Sequence, residues 1–281
     1  MANLWTEPVT TALRADGLRV ADIDTSATPG FLGGKQLGKS MLPERGEVLS
    51  VLQEKLFAHG RTGGDRRVLL ILQGMDTAGK GGIVRHVIGS VDPQGVDHAS
   101  FGVPTEEERA HDFLWRIRKR LPAPGQLGVF DRSHYEDVLV VRVHGLVPQA
   151  EWEQRYDKIN AFEKEVADSG TTIVKVAMFV SLDEQKRRLR ARLERPDKYW
   201  KFNPADITER AFWPEYQKAY QAVLDRTNTD YAPWYVLPAD QKWYSRLAVT
   251  ELLIDALTGL NLDWPGANFD VAEQLRLLDQ S

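Results

Sequence analysis

Three stretches of the chain are apolar almost without a break: Val68-Leu69-Leu70-Ile71-Leu72 within Arg67–Gln73, Leu127-Gly128-Val129-Phe130, and Thr172 to Val180. Runs of this kind read as strands buried on both faces, as in a parallel sheet. Shorter strands are predicted at His98–Phe101 and Tyr235-Val236-Leu237. Between them the spacing becomes helical. Val48, Leu49, Leu52 and Leu56 place a helix from about Pro43-Glu44 to His59, ended by Gly60, Gly63 and Gly64. Further helices are predicted near Ile83–Ser90, from Thr105 to about Arg120, from Pro148 to Ser169, and over Tyr244–Leu257. Leu182 to Asp225 reads as helical but broken at Pro196 and Pro204. The order β-α-β-α-β-α-β predicts an α/β fold, a parallel sheet sandwiched by helices. Residues 1–42 read as an arm, with five Gly or Pro between Thr25 and Ser40. Residues 261–281 read as a weakly patterned tail, which leaves 43–260 as the main domain.

Composition narrows the function. The 281 residues carry 36 Lys+Arg against 40 Asp+Glu, a net charge of −4. A protein basic all over, such as a nucleic-acid coat, is excluded, but a local basic patch is not. The absence of cysteine removes disulfides, thiolate metal sites and Cys nucleophiles. No apolar run approaches the ~18 residues of a membrane span, and Met-Ala-Asn-Leu-Trp-Thr-Glu-Pro lacks the basic start and apolar stretch of a signal peptide. A cytoplasmic protein is the expectation.

Gly74-Met75-Asp76-Thr77-Ala78-Gly79-Lys80-Gly81 lies between a predicted buried strand and a helix and fits G-x-x-x-x-G-K. In such a loop, glycines let backbone N–H groups curl round phosphate oxygens, and Lys80 supplies a mobile cation. The bland alternative is a tight strand-to-helix turn with a solvated lysine. Gly81 departs from the usual Ser/Thr and has no hydroxyl for Mg²⁺. Asp76 is a candidate replacement, because Mg²⁺ favours one or two carboxylates plus phosphate oxygens. A base acting on an acceptor phosphate is its other reading.

The strand ending at Phe130 delivers Asp131-Arg132-Ser133-His134-Tyr135-Glu136-Asp137 to the same sheet edge, where ligands of parallel α/β proteins gather. Asp131 is placed like a second Mg²⁺ carboxylate, and Arg132 like a bidentate phosphate clamp. His134 reads as a packed or hydrogen-bonded histidine and not a base. Ser181 to Lys201 then carries a net +4 in a chain whose total is −4. Arg188, Arg192 and Arg195, at i, i+4 and i+7, share one face. That face is expected to be solvated, on a lid that closes over anionic phosphate.

These motifs, together with Phe130 through His144, Glu184-Gln185 with Arg188 and Arg192, Trp200 through Asp206, and Ala232-Pro-Trp-Tyr-Val236, resemble polyphosphate kinase family 2. Ser-His-Tyr-Glu-Asp at 133–137 resembles its class III branch. The resemblance implies a P-loop kinase fold with a helical lid at about 182–227. It implies phosphoryl transfer between inorganic polyphosphate and AMP or ADP, yielding ATP and running in reverse, with Mg²⁺, or Mn²⁺ as an alternative. Asp76 and Asp131 would be metal and catalytic carboxylates, and Lys80 and Arg132 would hold the transferring phosphate. Gly74, Ala78, Gly79 and Gly81 would cradle phosphate with Arg187, Arg188, Arg192, Lys198 and Lys201. Arg116, Arg132, Glu136 and Asp206 would face the nucleotide, with Glu136 as the branch-specific, catalytic position. The family also implies a homo-oligomer, dimer or tetramer, and neither nucleic acid nor membrane as partner. Polyphosphate has many charges and no base to read, so its site should be a string of cations. Arg116-Ile-Arg118-Lys119-Arg120 is expected to contribute to that string. An ordinary ATP-dependent nucleotide kinase and a non-catalytic polyphosphate sensor are the rival readings.

Overall fold

The structure, a computed structural model, describes residues 4–281. Residues 1–3, the start of the arm and part of the signal-peptide reading, lie outside the described residues. Five strands pair in parallel in the order β2-β3-β1-β4-β5: β1 (Arg67–Gly74), β2 (Val96–Ser100), β3 (Leu127–Asp131), β4 (Thr171–Phe179) and β5 (Trp234–Pro238). The long helices are α1 (Lys35–Arg61), α2 (Lys80–His86), α3 (Gln149–Asp168), α4 (Leu182–Leu193), α5 (Trp213–Thr227), α6 (Lys242–Gly259) and α7 (Val271–Leu278).

The two-residue period of β1 explains the three layers. Val68, Leu70 and Leu72 enter a core with Leu49 and Leu56 of α1 and Leu247 of α6. Leu69 and Ile71 enter a second core with Ile159 of α3 and Val223 of α5. All five are at most 1% exposed, and burying each contributes about 1.5–3 kcal/mol. The arm is not a free tail. Ala15 N–H donates to Trp234 O and Val236 N–H to Leu13 O, so residues 13–15 cover the outer edge of β5, which would otherwise offer unpaired backbone groups.

Three helical expectations are corrected. α1 begins at Lys35, not Pro43, and runs through the proline. Gly38, counted with the arm in the sequence, lets α1 approach α6, since a Cβ there would lie 2.3 Å from the Trp243 ring. That ring is held in turn by its Nε1–H donating to Gln241 Oε1. Gly38→Ala should therefore destabilise the fold by about 1–3 kcal/mol of overpacking, less up to ~1 kcal/mol of helix propensity regained. An unchanged urea midpoint would contradict this. The helix predicted from Thr105 to Arg120 is broken into Glu106–Arg109 and Trp115–Arg118. Asp112 Oδ1 takes the Leu114 N–H, a local side-chain bond that competes with the helix. In the tail, Asp270 caps α7 by accepting from Glu273 N–H.

The strand order sets up the site. β3 lies beside β1 with Asp131 in register with Leu72, so the turns leaving both strands emerge together at the carboxyl edge. No helix among the described residues is long and apolar enough to cross a membrane.

Candidate active site

The loop from Gly74 to Gly79 turns β1 directly into α2. Thr77 has φ +65° and Gly79 φ +122°; the latter region is open in practice only to glycine. Gly74 packs where a Cβ would lie 2.8 Å from Met178 O on β4. At Gly81, by contrast, a Cβ would meet nothing within 4 Å. The missing hydroxyl is thus a chemical departure and not a steric one.

Lys80 is not the solvated side chain expected from its loop position. It is 8% exposed, and its Nζ donates to Gly74 O at 2.5 Å. Burial lowers its pKa, as does the charge of Arg132, while Asp131 and Asp76 act in the opposite sense. Arg132, at φ +66°, donates to Asp76 Oδ1 at 3.0 Å and reaches Glu136 Oε2 at 3.5 Å. Glu136 above all, then Asp76, raise its pKa against the cost of burial. Glu136 also accepts from Gln73 Nε2 on β1. The carboxylates and cations of both loops therefore form one coupled group.

Beneath the Ser133–Asp137 turn lies a fully buried polar network. Lys175 Nζ donates to Glu163 Oε2 at 2.6 Å, to Tyr135 OH at 2.9 Å and to Thr227 O. His134 Nε2 is 3.1 Å from Glu163 Oε1. Burial opposes ionisation of Glu163, but Lys175 and His134 outweigh it and hold its pKa below the usual carboxylate value. His134 is 0% exposed with its pKa lowered by burial, in keeping with a packed histidine.

A cavity of about 510 Å³ opens in front of the loop. Among the described residues, eleven Lys and Arg side chains and only two carboxylates, Asp76 and Asp131, line it, with no Phe, Tyr or Trp. Ala78, Gly79, Lys80, Gly81 and Arg132 lie in this wall, as do Arg187, Arg188, Arg192, Lys198 and Lys201 from the helical segment between β4 and β5. On the other side of Arg132 is a cleft of about 40 Å³, lined by Gly74, Glu136, Gln185, Glu209, Tyr216 and Tyr220 among others. Ligand pockets usually exceed about 300 Å³, so the cleft in this conformation is too small to hold a nucleotide.

Some sequence readings need correction. Arg188 does not sit on a solvated face. It is 6% exposed and donates to Thr77 O, Ala78 O, Ala239 O and Asp240 O, with Glu184 as its counter-charge. Its guanidinium ties the phosphate loop to the end of β5. The 116–120 cluster does not reach the cavity. Arg116 is buried against Gly102 O, Glu108 and Asp137; Arg118 pairs with Glu165, and Arg120 with Asp97. Asp206 lies outside both cavities and accepts from Arg192 at 3.2 Å; burial first, then the charge of Asp76, raises its pKa. Sequence reading missed Arg85, His86, Lys242 and Arg246 in the large cavity and Tyr216 and Tyr220 in the cleft. A signal was present: Lys242 and Arg246, one helical turn apart, follow β5 at the carboxyl edge.

The comparisons with known proteins now have a geometry to meet. The family model described as polyphosphate kinase 2 matches residues 38–263. The chain belongs to the polyphosphate kinase 2 family. A relative from Meiothermus ruber, named AMP/ADP-polyphosphate phosphotransferase, is 48% identical over 86% of this chain and 89% of its own length. One from Rhodopseudomonas palustris, named ADP-polyphosphate phosphotransferase, is 40% identical over 84% of each. The crystal structure of polyphosphate kinase 2 from Arthrobacter aurescens TC1 superposes with a TM-score of 0.97, at 53% identity, covering 100% of this chain and 99% of that one. Membership of the polyphosphate kinase 2 family makes the protein a phosphotransferase of α/β fold. The two loops and the cationic cavity are where that chemistry has to be explained.

Proposed function

We propose that the protein transfers a phosphoryl group from inorganic polyphosphate to AMP and to ADP, and in reverse. The observation that carries this reading is the large cavity itself, with eleven cations, two carboxylates and no aromatic ring. A donor site for ATP would need a surface to hold the base. This one offers no aromatic ring to stack a base and a dense set of cations, which suits a chain of phosphates. The acceptor side is different: the cleft beyond Arg132 carries Tyr216 and Tyr220 with Glu136, apolar faces and a polar group suited to a nucleotide. The similarity to the Meiothermus ruber protein, whose name includes both AMP and ADP, supports both acceptors.

Phosphoryl transfer requires positioning and charge stabilisation more than proton chemistry. Lys80 and Arg132 flank the line between donor cavity and acceptor cleft and stabilise the oxygens of the phosphoryl group as it moves. Binding of phosphate draws Lys80 Nζ off Gly74 O and, by its negative charge, restores the pKa that burial had lowered. Arg192, Lys198 and Lys201 close over the donor with the lid and exclude water.

Asp76 and Asp131 face the same cavity, and among the described residues no three His, Asp or Glu side chains form a ligand cluster. Such a pair suits Mg²⁺ or Mn²⁺, hard ions that complete their shell with phosphate oxygens and water. When bound, the ion would offset charge on the phosphate oxygens that these carboxylates otherwise repel. Asp76→Asn and Asp131→Asn should each raise the Mg²⁺ concentration for half-maximal activity and lower the rate by ~10²-fold. A variant with both unchanged is not a metal ligand.

The donor is tested by supplying AMP with long-chain polyphosphate or with ATP. Turnover with polyphosphate alone supports the reading. Turnover that requires ATP and ignores polyphosphate makes the protein an ordinary nucleotide kinase, and binding of polyphosphate without turnover makes it a sensor.

A further inference from the structure

Three fully buried polar side chains have no part in the chemistry so far. Lys175 is the only charged residue of β4, a strand otherwise apolar but for two threonines at its start. It pairs with Glu163 of α3 at 2.6 Å, and their side chains are 0% and 1% exposed. Desolvating both ions is costly, and such pairs can often be replaced by apolar residues without loss of stability. Stability alone therefore does not explain the pair. What it holds is Tyr135. The Tyr135 hydroxyl donates to Glu163 Oε1 at 2.7 Å and accepts from Lys175 Nζ at 2.9 Å. Its ring packs edge-on against Trp234, with centroids 4.7 Å apart. Tyr135, Glu163 and Lys175 line neither cavity, so none of them touches a substrate held there.

Tyr135 sits in the middle of the turn that carries the site. Arg132, three residues before it, lines both cavities, and Glu136, the next residue, lines the cleft. The two side chains meet at 3.5 Å. Arg132 is at φ +66°, a left-handed conformation uncommon for a residue with a Cβ. Such a conformation costs free energy and persists only where the surroundings over-determine it. Arg132 N–H donates to Leu72 O, which fixes the turn at its start. Ser133 Oγ accepts from Tyr135 N–H and Ser133 O from Glu136 N–H, which ties the rest of the turn into one short piece. Tyr135 fixes that piece at its other end, because its side chain enters the buried ion pair while Arg132 and Glu136 face the cavities.

We infer that Tyr135, held by Glu163 and Lys175, is a positioning residue for phosphoryl transfer: it keeps Arg132 in its left-handed conformation and so aims the guanidinium at the moving phosphoryl group. This rests on the role proposed for Arg132 above. Removing the hydroxyl leaves the ion pair and the ring in place but frees the turn to relax. The charge of Arg132 stays in the cavity, so donor binding is kept while the aim is lost. A misplacement on the order of 1 Å can cost about 10²-fold in rate.

The test is a double-mutant cycle on kcat. Tyr135→Phe and Arg132→Ala are made singly and together in the full-length protein. Each is assayed with long-chain polyphosphate, ADP and Mg²⁺ at a temperature where circular dichroism shows it folded. Tyr135→Phe is expected to lower kcat at least tenfold in the wild-type background, with KM for polyphosphate changed less than threefold. Once Arg132 is alanine it is expected to lower kcat less than twofold, because no guanidinium is left to aim. A merely structural tyrosine would lower kcat by the same factor in both backgrounds. That result, or no loss in the wild-type background, overturns the positioning role and leaves the proposed function standing. Should Tyr135→Phe not fold, Glu163→Asp carries the same cycle with the same expectation, since it keeps the charge beside Lys175 but draws the carboxylate back from the hydroxyl. No turnover of polyphosphate by the wild type would overturn the proposed function and this role with it.

Discussion

Lys80→Ala should lower kcat by roughly 10²–10³-fold, the effect of removing one preorganised electrostatic group at a developing charge. The structure sharpens the expectation. Lys80 is buried, and its Nζ donates to Gly74 O. Truncation therefore also strips a carbonyl of its partner, at about 1–3 kcal/mol. The kinetic loss should be measured well below the melting temperature of the variant, at saturating donor and acceptor. A loss in kcat with KM for polyphosphate changed only a few-fold is the signature of a group acting on the transferring phosphoryl. Activity retained within a factor of a few would remove Lys80 from the chemistry.

The second large effect is on stability and comes from the lid helix. Arg188→Ala should cost about 3–5 kcal/mol, the range for breaking a buried charge pair by deleting one partner. Glu184 would keep only the exposed Arg187 as its counter-charge, and four carbonyls, at Thr77, Ala78, Ala239 and Asp240, would lose a donor. Arg188→Lys should recover only part of this, because one ammonium cannot span the two pairs of carbonyls that a guanidinium fork reaches. A urea titration reads the result directly. A change within ~1 kcal/mol, as for an exposed pair, would mean that the guanidinium spends its time in the cavity and not on the loop.

Arg188 also shows where sequence pattern stops. The i, i+4, i+7 spacing places Arg188, Arg192 and Arg195 on one side of α4, but spacing says nothing about what that side faces. For Arg188 it is a set of backbone carbonyls from segments 51 to 111 residues away, which no local pattern encodes. Lys242 and Arg246 carried a partial signal, one helical turn apart just after β5, but they enter the cavity only because β5 is brought to the sheet beyond β4. The sheet was more legible. A strand buried on both faces, such as Val68–Leu72, has to be apolar at every position, and that signal is in the residues themselves. The two loops were legible because glycine, lysine and aspartate at a strand end have few other uses. Helix ends were less so. Asp112 breaks the predicted Thr105–Arg120 helix by a bond to the Leu114 N–H two residues on, and Asp270-x-x-Glu273 was a readable cap in a stretch taken as tail.

The account stands or falls on what happens to AMP. With long-chain polyphosphate and Mg²⁺ as the only other reactants, a chromatographic time course should show ADP rising first and ATP following as ADP becomes acceptor in turn. ADP that is phosphorylated while AMP is untouched at saturating concentration would contradict the dual-acceptor reading. No ADP or ATP from either nucleotide would contradict polyphosphate as donor.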